Sequence, residues 1–250
     1  MKLSLIVARL VPAAAALAAA STVAQPSNPY GGGTRLEKQP EAISWPVDKS
    51  RPVLADFGQC AAKRAPELAR SMVLSATTID LEPKYRKLFD PDCFGKALMR
   101  AGLMGAVQLE MSQWRGRTII ASALVNQDLA TFDASEIKLA APIARLTISA
   151  NMLAATGAKE REELANEQRN IALETFSDCV IRANPVGSQV LLRSKINSDD
   201  EMQAIHALIP AMSGCVDRGN QFKLDRETVR GALAFNFYRL AYASRTGAAH

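Results

Sequence analysis

The side chains that could do chemistry in this 250-residue chain are few, and their spacing says more about shape than about catalysis. Cysteine occurs four times, at Cys60, Cys93, Cys179 and Cys215, and histidine twice, at His206 and His250. No Cys-x-x-Cys pair exists, so neither a thioredoxin-like redox couple nor a zinc knuckle is expected. No Gly-x-Ser-x-Gly elbow, His-Glu-x-x-His helix or Asp-x-Asp-x-Asp-Gly loop is present. His250 is the last residue, and His206 sits beside the apolar stripe of a predicted helix. The expected role of His206 is that of a histidine at the edge of a core, and a lone base or ligand is the alternative. Asp90-Pro91-Asp92 reads as a turn rather than a cation site. The expected sets of catalytic, cofactor-binding and metal-binding residues are therefore empty.

The cysteines belong to a larger pattern. Leu54-x2-Phe57-x2-Cys60-x5-Pro66-x8-Ser75 aligns without a gap on Leu173-x2-Phe176-x2-Cys179-x5-Pro185-x8-Ser194. A second block follows in each half, Gln108 to Ser112 and Gln221 to Asp225, and five positions after the end of each block fall Arg117 and Arg230. Cys93 and Cys215 precede those blocks. The order is the same in both halves, which is the mark of an internal repeat. If equivalent positions do equivalent work, the bridges are Cys60–Cys93 and Cys179–Cys215, one per repeat, among the three pairings that four cysteines allow. Arg117 and Arg230 are then candidates for a paired anion-binding site across the axis of the repeat, since guanidinium suits carboxylate or phosphate. A structural ion pair or a solvated helix face is the plainer expectation.

The elements that must position these residues are helices. Leu-x2-Phe-x2-Cys puts three apolar side chains on one helical face. In the second half the stripe runs back through Leu164, Ile171 and Ala172 to a start near Glu160. Pro66 and Pro185 belong in the first turn of the next helix, where a missing N–H costs nothing. Ser198 to Glu201 is a capping-box pattern opening a helix that carries Met202, Ile205, Leu208, Ile209 and Met212. Its first-half counterpart is shorter, near Pro83, with Tyr85 and Leu88. The Gln blocks alternate, which predicts one short strand per repeat at 107–111 and 221–225, paired with each other. Ser112 and Asp225 suit the N-caps of helices carrying Ile120 and Leu124 in one half and Val229, Leu233, Phe237 and Leu240 in the other. Asp133-Ala-Ser-Glu136 looks like a further cap, followed by a helix through Ile143, Leu146, Ala150 and Leu153, with Pro142 kinking it or marking its start. The extra residues after Cys93, with Met99, Leu103, Met104, Val107 and Met111, read as loosely constrained core or as an adaptable binding surface. The fold class expected is mainly α, a duplicated helical repeat of about seven to nine helices.

The ends bound the setting. Lys2, the apolar run 10–20 and the small residues before Ala24 have the layout of a signal peptide cut after Ala24. The run is too short for the ~20 residues that span a bilayer, so no membrane span is expected once the leader is gone. Residues 25–50 begin with Pro, Gly, Ser and Asn and read as a flexible tether, with Trp45 near its end. The expected organisation is 1–24 signal peptide, 25–50 tether, 51–130 first repeat, 131–159 connecting helix and 160–245 second repeat. Without Lys2 and Arg9 the chain holds 28 basic against 25 acidic residues, well mixed. No basic run has the density of a nucleic-acid or anionic-lipid patch.

With its duplicated Cys-x5-Pro unit and the closing Arg230-Gly-Ala-Leu-Ala234, the chain resembles uncharacterised exported proteins of sphingomonad-type bacteria over residues 54–243. The first half departs from the closing motif at 117–121, Arg-Thr-Ile-Ile-Ala. The resemblance implies no activity. Together these readings predict a periplasmic or secreted, non-enzymatic binding or interaction module without a cofactor, for a protein or small-molecule partner in the cell envelope. A structural envelope component is the second expectation, and a hydrolase-like enzyme built around His206 the third.

Overall fold

In the computed structural model, the helix expected around Phe57 begins at Val47 and runs to Arg64 (α1), so residues 47–50, expected in the tether, are helical. The residues described are 47–76, 83–103, 111–139, 143–148, 150–154, 157–216 and 224–247. The expected signal peptide, Trp45 and most of both Gln blocks lie outside them, as do the two strands expected at 107–111 and 221–225 apart from Met111, Leu224 and Asp225. Those three precede helices and belong to no strand. The protein is mainly helical, and among the described residues no helix is long and apolar enough to cross a membrane.

Both prolines fall where their chemistry predicts. Pro66 opens α2 (Pro66–Leu74), and Pro185 opens α7 (Pro185–Arg193). Each follows the cysteine helix of its half after a one-residue bend: α1 in the first half, α6 (Ala158–Ala183) in the second. A six-residue 3-10 turn, Pro83–Leu88, buries Tyr85 and Leu88. Its counterpart is a full helix, α8 (Asp199–Gly214). Only Leu208 and Ala204 of α8 are fully enclosed among its apolar residues; Ile209, expected on the inner stripe, is 48% exposed.

The residues that follow Cys93 form α3 (Pro91–Arg100), with Asp90 as its N-cap and Pro91 in its first turn. Asp90-Pro91-Asp92 is thus a helix start. Cys93, Ala97 and Leu98 of α3 pack on Val53 and Phe57 of α1 in a small core of their own. In the described part of the first-half insertion Ala97 and Leu98 are buried, Leu103 and Met111 are half-buried, and Met99 is 66% exposed.

The main core is built on α4 (Gln113–Asp128) and α9 (Arg226–Thr246), which pack on each other and on the cysteine helices, α4 on α1 and α9 on α6. Ser112 and Asp225 cap them as expected, accepting from the N–H groups of Arg115 (3.3 Å) and Thr228 (2.7 Å). Ile120, Leu124, Leu233, Phe237 and Leu240 are wholly buried. The two helices approach closely at Gly231, where a Cβ would lie 3.0 Å from the Cβ of Thr118.

The connecting helix expected through Ile143 and Leu146 does not form. Asp133 does cap a turn, a 3-10 segment Ala134–Leu139, but residues 143–148 are not helical, and only one turn, α5 (Ala150–Leu153), follows. The cause is tertiary. The Leu146 N–H donates to the buried carboxylate of Glu174, and the Ala144 carbonyl accepts from Arg239. Side chains from α6 and α9 thus take backbone groups that a helix would have paired internally.

Candidate functional site

The expected disulfides are present, Cys60–Cys93 and Cys179–Cys215, closing loops with sequence separations of 33 and 36. They differ in setting. Cys93 is fully enclosed, whereas Cys179 is exposed and Cys215 half-buried. They also differ in what they tie: the first joins α1 to the first turn of α3, and the second joins α6 to the residue that caps the end of α8.

Arg117 and Arg230 are buried, and each is turned onto the end of a short helix. Arg117 donates to the Ser75 carbonyl at the end of α2. Arg230 donates to the carbonyls of Leu191 (2.7 Å), Leu192 (2.8 Å) and Ser194 (2.9 Å) at the end of α7. Ser75 and Ser194 are serines that the two segments place in register, so each of the aligned arginines donates to the carbonyl of an aligned serine. Helix C-termini leave carbonyls without intrahelical donors, and a guanidinium answers that need with charge as well as hydrogen bonds. The paired anion-binding site expected from Arg117 and Arg230 is therefore not formed by Arg230, whose terminal nitrogens are engaged by these carbonyls and by Glu201 at 3.1 Å. Arg117 additionally lies 4.9 Å over the Phe235 ring, with Arg239 5.0 Å over the same ring. Burial, and next the positive charge of Arg239, pull the Arg117 guanidinium down to about 10, so it stays charged at neutral pH.

Two ion groups are buried, one joining the halves and one within the second half. Arg51 of α1 forks onto Glu201 of α8 (2.6 and 2.9 Å), which also takes the Asn197 N–H at 3.0 Å. The capping box is thus only half closed: the Glu201 N–H donates to the Ser198 hydroxyl (3.2 Å), but the Glu201 carboxylate serves Arg51 and Arg230 instead of its own cap. Burial pushes the Glu201 carboxyl up, and Arg51, the Asn197 N–H and Arg230 outweigh it, leaving the group below the usual glutamate range. The second group is Arg239 on Glu174 at 2.7 Å, both fully buried.

His206 is exposed on α8 and lines none of the described cavities. Among the described residues it has no carboxylate or hydroxyl within hydrogen-bond reach. The orienting partner that general acid–base work requires is thus not found there.

The structure instead brings together residues that carry no sequence motif. A cleft of about 1050 Å³ lies where α4 and α9 begin, walled by the first half of α6. Glu163, Asn166, Glu167 and Asn170 of α6 line it, at the i, i+3, i+4, i+7 spacing of one helical face. Further along α6 the same face supplies Leu173, Glu174, Ser177 and Ile181, all buried in the core. Toward its start this face of α6 thus changes from buried core to carboxylates and carboxamides that are half-buried (Glu167, Asn170) or exposed (Glu163, Asn166). Leu164 and Ile171, which the apolar stripe predicted, are only half-buried. Across the cleft stands Trp114, half-buried, with an edge-on contact to Phe235 at 5.1 Å between ring centroids. Arg115 of α4 and Glu227 of α9 join across the seam at 2.7 Å. Burial pushes the Glu167 carboxyl up, against the opposing pull of its hydrogen bond with Asn170 and the charge of Arg117.

Sequence reasoning missed this row because it sought apolar stripes. The signal lay in continuing the Leu173-Glu174-Ser177 face backward by turns. Comparison of the chain with protein-family models, with curated proteins and with solved structures gave no match.

Proposed function

We propose that the protein is an exported binding module made of two copies of one helical unit, with its ligand site in the cleft at the seam between α4, α6 and α9. The observation that carries this reading is the cleft itself. Its volume, about 1050 Å³, is at the upper end of the ~300–1,000 Å³ of small-molecule sites. Its walls come from both halves, and the Arg115–Glu227 pair joins them there. Of the α6 row that lines the cleft, Glu167 and Asn170 are half-buried and Glu163 and Asn166 exposed, which leaves polar groups open to a ligand.

The duplication is supported by matched contacts: bridge for bridge, and Arg117 on Ser75 for Arg230 on Ser194. Export is supported by the leader-like N-terminus and by two disulfides, which persist outside the reducing cytoplasm. A binding role rather than catalysis is favoured by the isolation of His206.

The test is a thermal-shift comparison of the wild type with Asn166→Trp, which places an indole in the cleft. The low-molecular-weight fraction of a cell-envelope extract raises the Tm of the wild type and leaves that of the variant unmoved, because a ligand that binds only the folded state stabilises it in proportion to its saturation. No shift in the wild type, or the same shift in both proteins, contradicts the reading.

A further inference from the structure

The lining of the cleft narrows what it can hold. Its carboxylates outnumber its guanidiniums, Glu163, Glu167, Asp225 and Glu227 against Arg115 and Arg169, which disfavours a phosphate or a carboxylate ligand. Yet these carboxylates do not ask for a cation either. Asp225 is spent on the Thr228 N–H, and Glu227 on Arg115. Glu167 stands one turn from Asn170 and feels the charge of Arg117, and Glu163 has Lys159 at 3.8 Å. What is left is lone pairs and amide N–H groups without much net charge to neutralise. A carboxylate keeps further acceptor sites after one bond, and a carboxamide offers both donors and acceptors. Neutral hydroxyls, each a donor and an acceptor, match that inventory. The Trp114 indole adds an apolar surface of the kind that lies against the C–H face of a ring.

We propose that the cleft is a saccharide site, in which Glu163, Asn166, Glu167 and Asn170 bind ring hydroxyls from one side while Trp114 packs against a pyranose from the other. The proposal rests on reading the cleft as the ligand site. The α6 row supplies polar groups at successive turns, about 5.4 Å apart along the helix, so it engages a chain of rings rather than one. The Arg115–Glu227 pair ties α4, which carries Trp114, to α9 beside the cleft.

The chain has two tryptophans, so Trp45→Phe in the full-length protein makes Trp114 the sole reporter. Its emission is titrated with the hexamer of β-1,4-linked N-acetylglucosamine, with cellohexaose, and with an uncharged hexapeptide of Ser, Asn and Gly. The expected result is a saturable change with at least one saccharide and none with the peptide. The double variant Asn166→Ala/Asn170→Ala, on the same background and with unchanged circular dichroism and Tm, binds that saccharide about tenfold or more weakly. Saturation by the peptide alone overturns the saccharide assignment and leaves the cleft a ligand site. Saccharide binding that is indifferent to the double variant overturns the assignment of the α6 row. Silence of Trp114 towards all three probes up to about 10 mM, a concentration that would reveal even millimolar affinity, overturns the saccharide proposal; the envelope-extract comparison then decides whether the cleft binds anything at all.

Discussion

Arg51 and Glu201 form a two-point ion pair between helices 150 residues apart in sequence, both side chains almost wholly enclosed. The same carboxylate is shared with Arg230, so one glutamate serves two buried guanidiniums. Removing it leaves two buried guanidiniums without their carboxylate, although Arg230 keeps its α7 carbonyls and Arg51 the Asn197 side chain. Breaking a buried pair in this way costs about 3–5 kcal/mol. Glu201→Ala is therefore expected to lose about that much in urea unfolding, and Glu201→Gln less, because the amide oxygen still accepts from one arginine. Because the folded carboxyl is held below its ordinary value, its contribution is present above the usual glutamate range and fades as pH falls through the lowered value.

The two bridges are expected to reduce in a fixed order. Thiol–disulfide exchange requires access to a sulfur, and Cys179 is exposed whereas Cys93 is fully enclosed. Under limiting dithiothreitol, alkylation and peptide mass spectrometry will find Cys179 and Cys215 labelled before Cys60 and Cys93. Loop closure is of similar size in both, so loss of either bridge is expected to cost about 3–4 kcal/mol. Simultaneous labelling of all four would show that the first bridge is not shielded as described.

Gly58 is a packing residue without a motif. A Cβ there would meet the Ile119 carbonyl oxygen at 2.9 Å and its Cγ2 at 2.7 Å, so α1 rests on α4 with no room for a methyl group. Gly58→Ala is expected to destabilise by about 1–3 kcal/mol despite the better helix propensity of alanine, as overpacking does. Gly95, with nothing within 4 Å, is the control: Gly95→Ala in α3 is expected to be neutral or mildly stabilising. Equal effects at the two positions would argue against the α1–α4 contact.

Glu167 sets a pH dependence of opposite sign to that of Glu201. Burial raises its folded value, so between the ordinary glutamate range and that raised value the folded state binds more protons than the unfolded one. Stability then falls as pH rises through this window. Glu167→Gln is expected to remove that slope, measured as urea midpoints from pH 4 to 8, while Glu163→Gln retains it.

Where local chemistry decides structure, the sequence was a good guide. Pro66, Pro185, Ser112, Ser198 and Asp225 all mark helix starts, because an absent N–H or a side-chain oxygen acts within a few residues. The disulfides followed from equivalence of the halves. The segment 143–148 was misread because its backbone partners, Glu174 and Arg239, are distant in sequence and override helical periodicity. Arg117 and Arg230 were recognised as equivalent, but their work on helix ends depends on α2 and α7 lying beneath them. The cleft was least legible, since Glu163, Asn166, Glu167 and Asn170 become a site only when α6 is docked against α4 and α9.

The central claim, a ligand site at the seam of the two halves, is tested most directly by hydrogen exchange of the protein with and without the low-molecular-weight envelope fraction. Exchange reports local opening segment by segment. The account predicts added protection in the first turns of α4 and α9 and along residues 163–170, with α7 and α8 unchanged. Protection confined to α7 or α8, or no change anywhere while the extract raises the Tm, would place the ligand elsewhere and contradict it.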